Sequence, residues 1–83
     1  MSDLIDITSL RVYIIRMILS GSSYHEIAKK LGYKKEGKYV DTQKFKRELG
    51  IVADRGKYRR KMNYDKIARI CNILGIDPVD VGL

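Results

Sequence analysis

The chain has 83 residues and a mass of 9.6 kDa, which suffices for one small core and excludes a multidomain catalyst. With 45% hydrophobic and 33% charged residues and no apolar run near the ~20 residues of a membrane span, it is expected to fold as one globular cytoplasmic domain, residues 1–83. Single cysteine and histidine residues, Cys71 and His25, exclude an internal disulfide and a Cys/His zinc site, while the net charge of +7 indicates a polyanionic partner.

A first helix is predicted before Gly21. Apolar residues from Leu10 to Ile18 recur at positions i, i+4, i+7 and i+8, which is the spacing of one buried helical face. Thr8 or Ser9 can cap the start of this helix, and Gly21 is a typical residue for its end.

A second helix is predicted from the capping box of Ser23 and Glu26, in which a hydroxyl and a carboxylate each satisfy a free backbone amide. The helix ends at Gly32, and its inward face consists of Ile27, Ala28 and Leu31. Because a very short connection joins the first two helices, we expect them to pack against each other.

Residues 33–39 are polar and basic and are predicted to form a loop. A third helix is predicted over residues 41–49, with Asp41 as its cap and Val40 and Phe45 at hydrophobic-staple spacing. Leu49 continues the buried face, while the intervening positions are polar or basic. The third helix is therefore short, amphipathic and basic.

Residues 51–61 form either an extended loop or a small β-hairpin wing that turns at residues 54–57 and pairs residues 51–53 with 58–61. A fourth helix is predicted from its cap Asn63 to Gly75, and Asp77-Pro78 indicates a final helical turn. Its buried face is formed by Ile67, Ile70, Cys71 and Leu74. The expected fold is all-α, a compact bundle of four to five helices, with the wing as one option.

No catalytic constellation is evident in the sequence. His25 and Glu26 are adjacent, so their side chains diverge by about 100° on a helix and do not form a base and its orienting group. Cys71 lies on an apolar helical face, where a buried hydrophobe is more common than a nucleophile. We therefore expect no enzyme activity, no small-molecule substrate, no metal and no cofactor.

The basic charge is concentrated in one segment. Residues 29–61 contain thirteen basic and four acidic residues, a net charge of +9, whereas the remainder carries −2. A surface kept basic only for solubility is the alternative explanation. The asymmetry favours a nucleic-acid partner.

The segment SYHEIAKKLGY, residues 23–33, resembles the first helix and turn of a helix-turn-helix, with Tyr24, Ala28 and Gly32 at its first, fifth and ninth positions. Residues 54–81 are similar to the closing part of the Cro/CI-like (XRE-type) repressors of bacteria, phages and plasmids. Val40 is the first apolar residue suited to the fifteenth position, which Lys38 occupies, so the turn is lengthened. The resemblance implies a homodimeric, nucleoid-associated transcriptional repressor whose helix bundle contains a helix-turn-helix.

The resemblance also makes residues 41–49 the recognition helix, which enters the major groove of double-stranded DNA. The side chains expected to contact bases are Thr42, Gln43, Lys46 and Arg47, and the amide of Gln43 suits adenine. An ordinary solvated helix face is the alternative. The side chains expected to contact phosphates are Tyr24, Lys34, Lys35, Lys38, Tyr39, Lys44, Lys57, Tyr58, Arg59 and Arg60.

Three other functions remain open. An excisionase-type architectural factor would bind DNA with the same basic surface and a wing. An RNA-binding module would use exposed tyrosines for stacking, and a protein-interaction module would use the apolar first helix. The candidate dimer surfaces are Val12, Tyr13 and Ile15 on that helix and the C-terminal residues 81–83.

Overall fold

The computed structural model describes residues 4–83, and within them it has four α-helices, one 3-10 helix and two small antiparallel sheets. In chain order the elements are β1 (Leu4–Asp6), α1 (Thr8–Leu19), α2 (Tyr24–Leu31), β2 (Lys34–Lys35), β3 (Tyr39–Val40), α3 (Thr42–Glu48), β4 (Lys61–Asn63), α4 (Tyr64–Leu74) and a 3-10 helix (Pro78–Val81). The predicted all-α fold is wrong, because two pairs of strands join the helices in a mixed α/β domain.

The first sheet joins the two ends of the domain. β1 pairs with β4 so that Ile5 lies opposite Met62, and the Ile7 N–H extends the pairing by donating to the Arg60 carbonyl at 2.9 Å. Met62 lies in β4 with its side chain buried. Strands of three residues are too short to show alternation, and their partners lie far apart in the sequence, so local pattern does not predict this sheet.

The second sheet occupies the segment that was predicted as a loop. β2 and β3 form a hairpin in which Lys35 lies opposite Tyr39, and the backbone turns at Glu36 and Gly37. The hairpin fills the connection between α2 and α3, so the connection is longer than the turn of an ordinary helix-turn-helix.

The predicted wing is only partly present. A tight turn closes at residues 54–57, where the Asp54 N–H donates to the Lys57 carbonyl at 2.6 Å and the Lys57 N–H returns a bond of 3.2 Å. The flanking residues 51–53 and 58–60 lie outside strands, and Lys61 belongs to β4. The Arg60 carbonyl is bonded to Ile7, which draws this segment toward the start of α1 instead of toward residues 51–53.

Three of the four N-terminal caps predicted for the α-helices are present in the structure. Ser23, Asp41 and Asn63 each accept a hydrogen bond from an amide of the first helical turn, at 3.1, 3.0 and 2.8 Å. The cap expected at Thr8 or Ser9 is wrong, because Asp6 accepts the Thr8 N–H at 2.8 Å. This hydrogen bonding to Thr8 also lowers the pKa of the Asp6 carboxyl below its ordinary value.

Most apolar side chains of the candidate dimer surfaces are at least partly covered by the rest of the chain. Val81 is buried in the core, Tyr13, Ile15 and Leu83 are half-buried, and Val12 remains exposed. The 3-10 helix packs against α1 and covers part of the surface that had been expected to mediate dimerisation. Within residues 4–83, no helix has the length and apolar character needed to cross a membrane.

Candidate nucleic-acid interface

α3 is held in place by aromatic packing beneath it. Phe45 and Leu49 are fully buried. The Phe45 ring lies 5.2 Å from the ring of Tyr33 and 6.5 Å, edge to face, from the ring of Tyr24, measured between centroids. These contacts join the short helix to the first residue of α2 and to the base of the β2–β3 hairpin.

The outer face of α3 carries the residues predicted to contact bases. At 100° per residue, Gln43 and Arg47 lie opposite the buried Phe45, one turn apart. Gln43 is exposed, whereas Thr42, Lys46 and Arg47 are partly buried. None of the four points into the core.

Lys46 is restrained by α2. Its Nζ lies 5.0 Å from the centroid of the Tyr24 ring, which is a cation–π distance. Tyr24 is itself half-buried and packs on Phe45, so its ring serves the α2–α3 contact and the Lys46 contact. The phosphate contact predicted for Tyr24 would have to be made by its hydroxyl alone.

A buried carboxylate behind α3 connects three elements. The Glu48 side chain accepts a hydrogen bond of 2.6 Å from the Tyr33 hydroxyl and forms an ion pair with the Lys66 ammonium of α4. Burial opposes the ionisation of Glu48, but the bonds from Lys66 and Tyr33 outweigh it and hold the pKa of the carboxyl below its ordinary value. Burial, together with the bond to Glu48, raises the pKa of the Tyr33 phenol.

The cluster of Tyr33, Glu48 and Lys66 was not predicted from the sequence. One signal was available, because Glu48 lies three residues after Phe45 and so falls on the buried side of an amphipathic helix. A carboxylate at such a position requires a cation and a hydrogen-bond donor nearby.

Two basic clefts lie along the Lys44 side of α3. One, of about 380 Å³, is lined by four basic and two acidic residues, Lys44, Arg47, Arg55 and Arg59 with Glu48 and Asp54. The other, of about 240 Å³, is lined by Lys44 with Lys34, Lys66 and Arg69. Because Lys44 borders both clefts, they form one basic surface that reaches from the hairpin and α4 to the 54–57 turn. Arg55 and Arg69 were not predicted to belong to it.

Most cations of this surface have no acidic partner. The salt bridges found within residues 4–83 are those of Arg59 with Asp54, at 2.7 Å, and of Lys66 with Glu48. Arg59 donates from both Nε and Nη2 to the same Asp54 oxygen, so this predicted phosphate contact already has a partner. The predicted phosphate-contacting cations without an ion pair in this part of the chain are Lys34, Lys35, Lys38, Lys44, Lys57 and Arg60.

Eight of the exposed side chains predicted to contact phosphates fall into two groups in the fold. The hairpin brings together Lys34, Lys35, Lys38 and Tyr39, and the segment after α3 brings together Lys57, Tyr58, Arg59 and Arg60. All eight side chains are exposed. A ligand bound at α3 can therefore be contacted by side chains of the segment before the helix and of the segment after it.

Among the described residues, no group of three or more His, Cys, Asp or Glu side chains is arranged to hold a metal ion. Cys71 is buried on α4, where burial raises the pKa of its thiol. Comparison of the chain with protein-family models, with characterised proteins and with solved structures finds no match.

Proposed function

We propose that the protein is a sequence-specific, duplex-DNA-binding transcriptional regulator of the repressor type, with α3 as its recognition helix. The observation that supports this most strongly is the outer face of α3. It presents Gln43 and Arg47, and Arg47 lines a cleft of the basic surface, whose cations mostly have no acidic partner among residues 4–83. A surface of this kind suits a polyanion with readable base edges.

The side chains of α3 differ in the contacts that they can make. The Gln43 amide can pair with the two adjacent hydrogen-bonding groups of adenine, and Arg47 can do the same with guanine. Lys46, restrained over Tyr24, has fewer orientations and suits a guanine or a phosphate at one edge of the groove. Thr42 lies in the first turn of α3. It suits a base or a phosphate near the N-terminal end of the helix, which is the end that contacts base edges in helix-turn-helix proteins.

The hairpin and the segment after α3 would supply phosphate contacts on either side. Six such contacts would make the logarithm of the binding constant fall with the logarithm of salt concentration at a slope of about −5, from ~0.9 per contact. One recognition helix covers only a few base pairs, so we propose that the protein binds as a homodimer and acts by occupying its operator. It would then associate with the nucleoid in the cytoplasm.

The test is a selection of bound fragments from random duplex DNA, followed by binding titrations of variants. Gln43→Ala is expected to relax preference at one base position, at a cost of about 1–3 kcal/mol for the preferred sequence. Lys57→Ala should weaken all sequences alike and reduce the salt slope by about 1 for each protomer bound. Arg16→Ala, on the exposed side of α1, is the matched control and should leave both properties unchanged. Absence of salt-sensitive binding to duplex DNA by the wild-type protein would refute the proposal.

An architectural DNA-binding role is the second candidate, favoured by the tight turn at residues 54–57 beside α3. A factor of this kind would bend its site markedly, whereas a repressor need not. Circular-permutation mobility of a selected fragment distinguishes the two roles.

A further inference from the structure

Two turns of this molecule are alike in conformation and in sequence. Glu36 and Gly37 have φ values of 54° and 68°, and Arg55 and Gly56 have φ values of 54° and 80°. Positive φ at both central positions is characteristic of the type I′ turn that joins hairpin strands tightly. In both turns the glycine is followed by a lysine and a tyrosine, as Gly-Lys-Tyr at residues 37–39 and again at residues 56–58.

Both turns expose the same chemical groups. Tyr39 is 64% exposed and Tyr58 is 61% exposed, and the preceding Lys38 and Lys57 are exposed as well. Neither lysine takes part in a salt bridge within the described residues. A lysine without an acidic partner beside an exposed tyrosine ring suits a ligand that offers a phosphate and a sugar next to each other.

One turn precedes α3 in the chain and the other follows it. The first hairpin leads through Val40 directly into Asp41, the cap of α3, and the second turn follows the C-terminal end of the helix. Arg55 of the second turn lines a cleft with Lys44 and Arg47 of α3, so this turn lies beside the helix.

Both turns are anchored to the body of the protein. At the base of the first, the Asp41 N–H donates to the Tyr33 carbonyl at 2.9 Å, and the Tyr33 hydroxyl reaches Glu48 of α3. At the base of the second turn, the Arg59 side chain is paired with Asp54. The Arg59 carbonyl accepts a hydrogen bond of 2.9 Å from Arg11. Because these supports exist before a ligand binds, little ordering is required on binding.

We propose that the two turns form a clamp on duplex DNA. The first turn, with residues 36–39, contacts the sugar-phosphate backbone of one strand, and the second turn, with residues 55–58, contacts that of the other strand. α3 lies in the groove between the two strands. In each turn the lysine contacts a phosphate, and the tyrosine packs on the adjoining sugar or donates its hydroxyl to a phosphate. The clamp rests on the proposed function, since it requires α3 to bind a duplex.

The test is phosphate-ethylation interference on a selected duplex labelled on either strand, with the wild-type protein, Lys38→Gln, Lys57→Gln and the control Arg16→Gln. Within each half-site, Lys38→Gln should abolish interference at a phosphate of one strand only, and Lys57→Gln at a phosphate of the other strand. Each should reduce the magnitude of the salt slope by about 0.9 for each protomer bound, and the control should change neither pattern nor slope. Tyr39→Leu and Tyr58→Leu should each weaken binding, with interference changes on the same strand as the neighbouring lysine.

The clamp is overturned if, within a half-site, both lysine substitutions affect phosphates of the same strand, or if neither differs from Arg16→Gln. In that case the proposed function still stands, provided that Gln43→Ala relaxes the base preference. Binding to single-stranded RNA in preference to duplex DNA would overturn the clamp and the proposed function together.

Discussion

At the scale of single residues, Gly50 determines how the chain leaves α3. Its φ is +72°, and a Cβ atom built on it would lie 2.1 Å from the carbonyl oxygen of Arg59 and 2.6 Å from an Arg11 nitrogen. The chain therefore passes directly against the backbone of the segment that carries the second turn. Any side chain at this position would have to displace that backbone.

Gly50→Ala is expected to lower the free energy of unfolding by about 3 kcal/mol, which combines the cost of left-handed backbone in a non-glycine residue with that of steric overlap. Gly75→Ala is the matched control, because Gly75 has a φ of +70° but no heavy atom of the described residues within 4 Å of an added Cβ. The control should lose only about 1–2 kcal/mol. Urea unfolding measures the stability of both variants. Equal losses would show that the backbone at Arg59 moves away from the added methyl group at little cost.

At the scale of elements, α1 supports the candidate interface from behind. Arg11 donates from Nε to the Leu49 carbonyl at 2.6 Å, at the end of α3, and from Nη2 to the Arg59 carbonyl at 2.9 Å. A cation at this place satisfies a free carbonyl and is favoured by the helix dipole of α3. One side chain of α1 thus fixes the end of α3 and the segment after it.

Arg11→Met is expected to lower the free energy of unfolding by about 1.5–3 kcal/mol, since it removes hydrogen bonds made by a charged donor. It should also accelerate amide hydrogen exchange in residues 50–60. Arg16→Met, an exposed arginine on the same helix, should change stability by less than about 0.5 kcal/mol. Urea unfolding and hydrogen exchange check these outcomes, and similar effects of both substitutions would argue against a supporting role for Arg11.

At the scale of the whole molecule, the Tyr33–Glu48–Lys66 cluster joins the hairpin, α3 and α4 around one buried carboxylate. The lowered pKa of Glu48 means that the folded protein favours the ionised form more than the unfolded chain does. The stability that this provides is fully present above the ordinary carboxyl pKa of 4.5 and is lost as the pH falls through the lower folded-state value.

Glu48→Gln is therefore expected to destabilise the protein by about 1 kcal/mol at pH 7, the difference between charged and neutral hydrogen bonds, and by less at pH 3. Glu36→Gln, at the exposed tip of the hairpin, is the control and should leave the pH dependence of unfolding unchanged. Urea titrations at several pH values between 3 and 7 measure the effect. An undiminished difference in unfolding free energy between Glu48→Gln and the wild type at pH 3 would contradict the electrostatic explanation.

The sequence by itself determined the local features of this protein. The caps at Ser23, Asp41 and Asn63 and the burial of Phe45 were predicted and are confirmed, and the turn at residues 54–57 was one of two alternatives that the sequence left open. Each depends on residues within a few positions of one another, or on a helical period that the sequence displays directly. The concentration of basic residues in one segment is likewise a property of the sequence.

Only the tertiary structure decided the pairing of β1 with β4, the burial of Glu48 and the ion pair that occupies Arg59. The first two bring together elements that are distant in the chain, and the third depends on how the segment after α3 is folded against its neighbours. Local propensity contains no term for such contacts, because their free energy comes from packing and desolvation after the chain has closed on itself. For that reason the helices could be predicted from the sequence, whereas the β1–β4 sheet and the charge pairs could not.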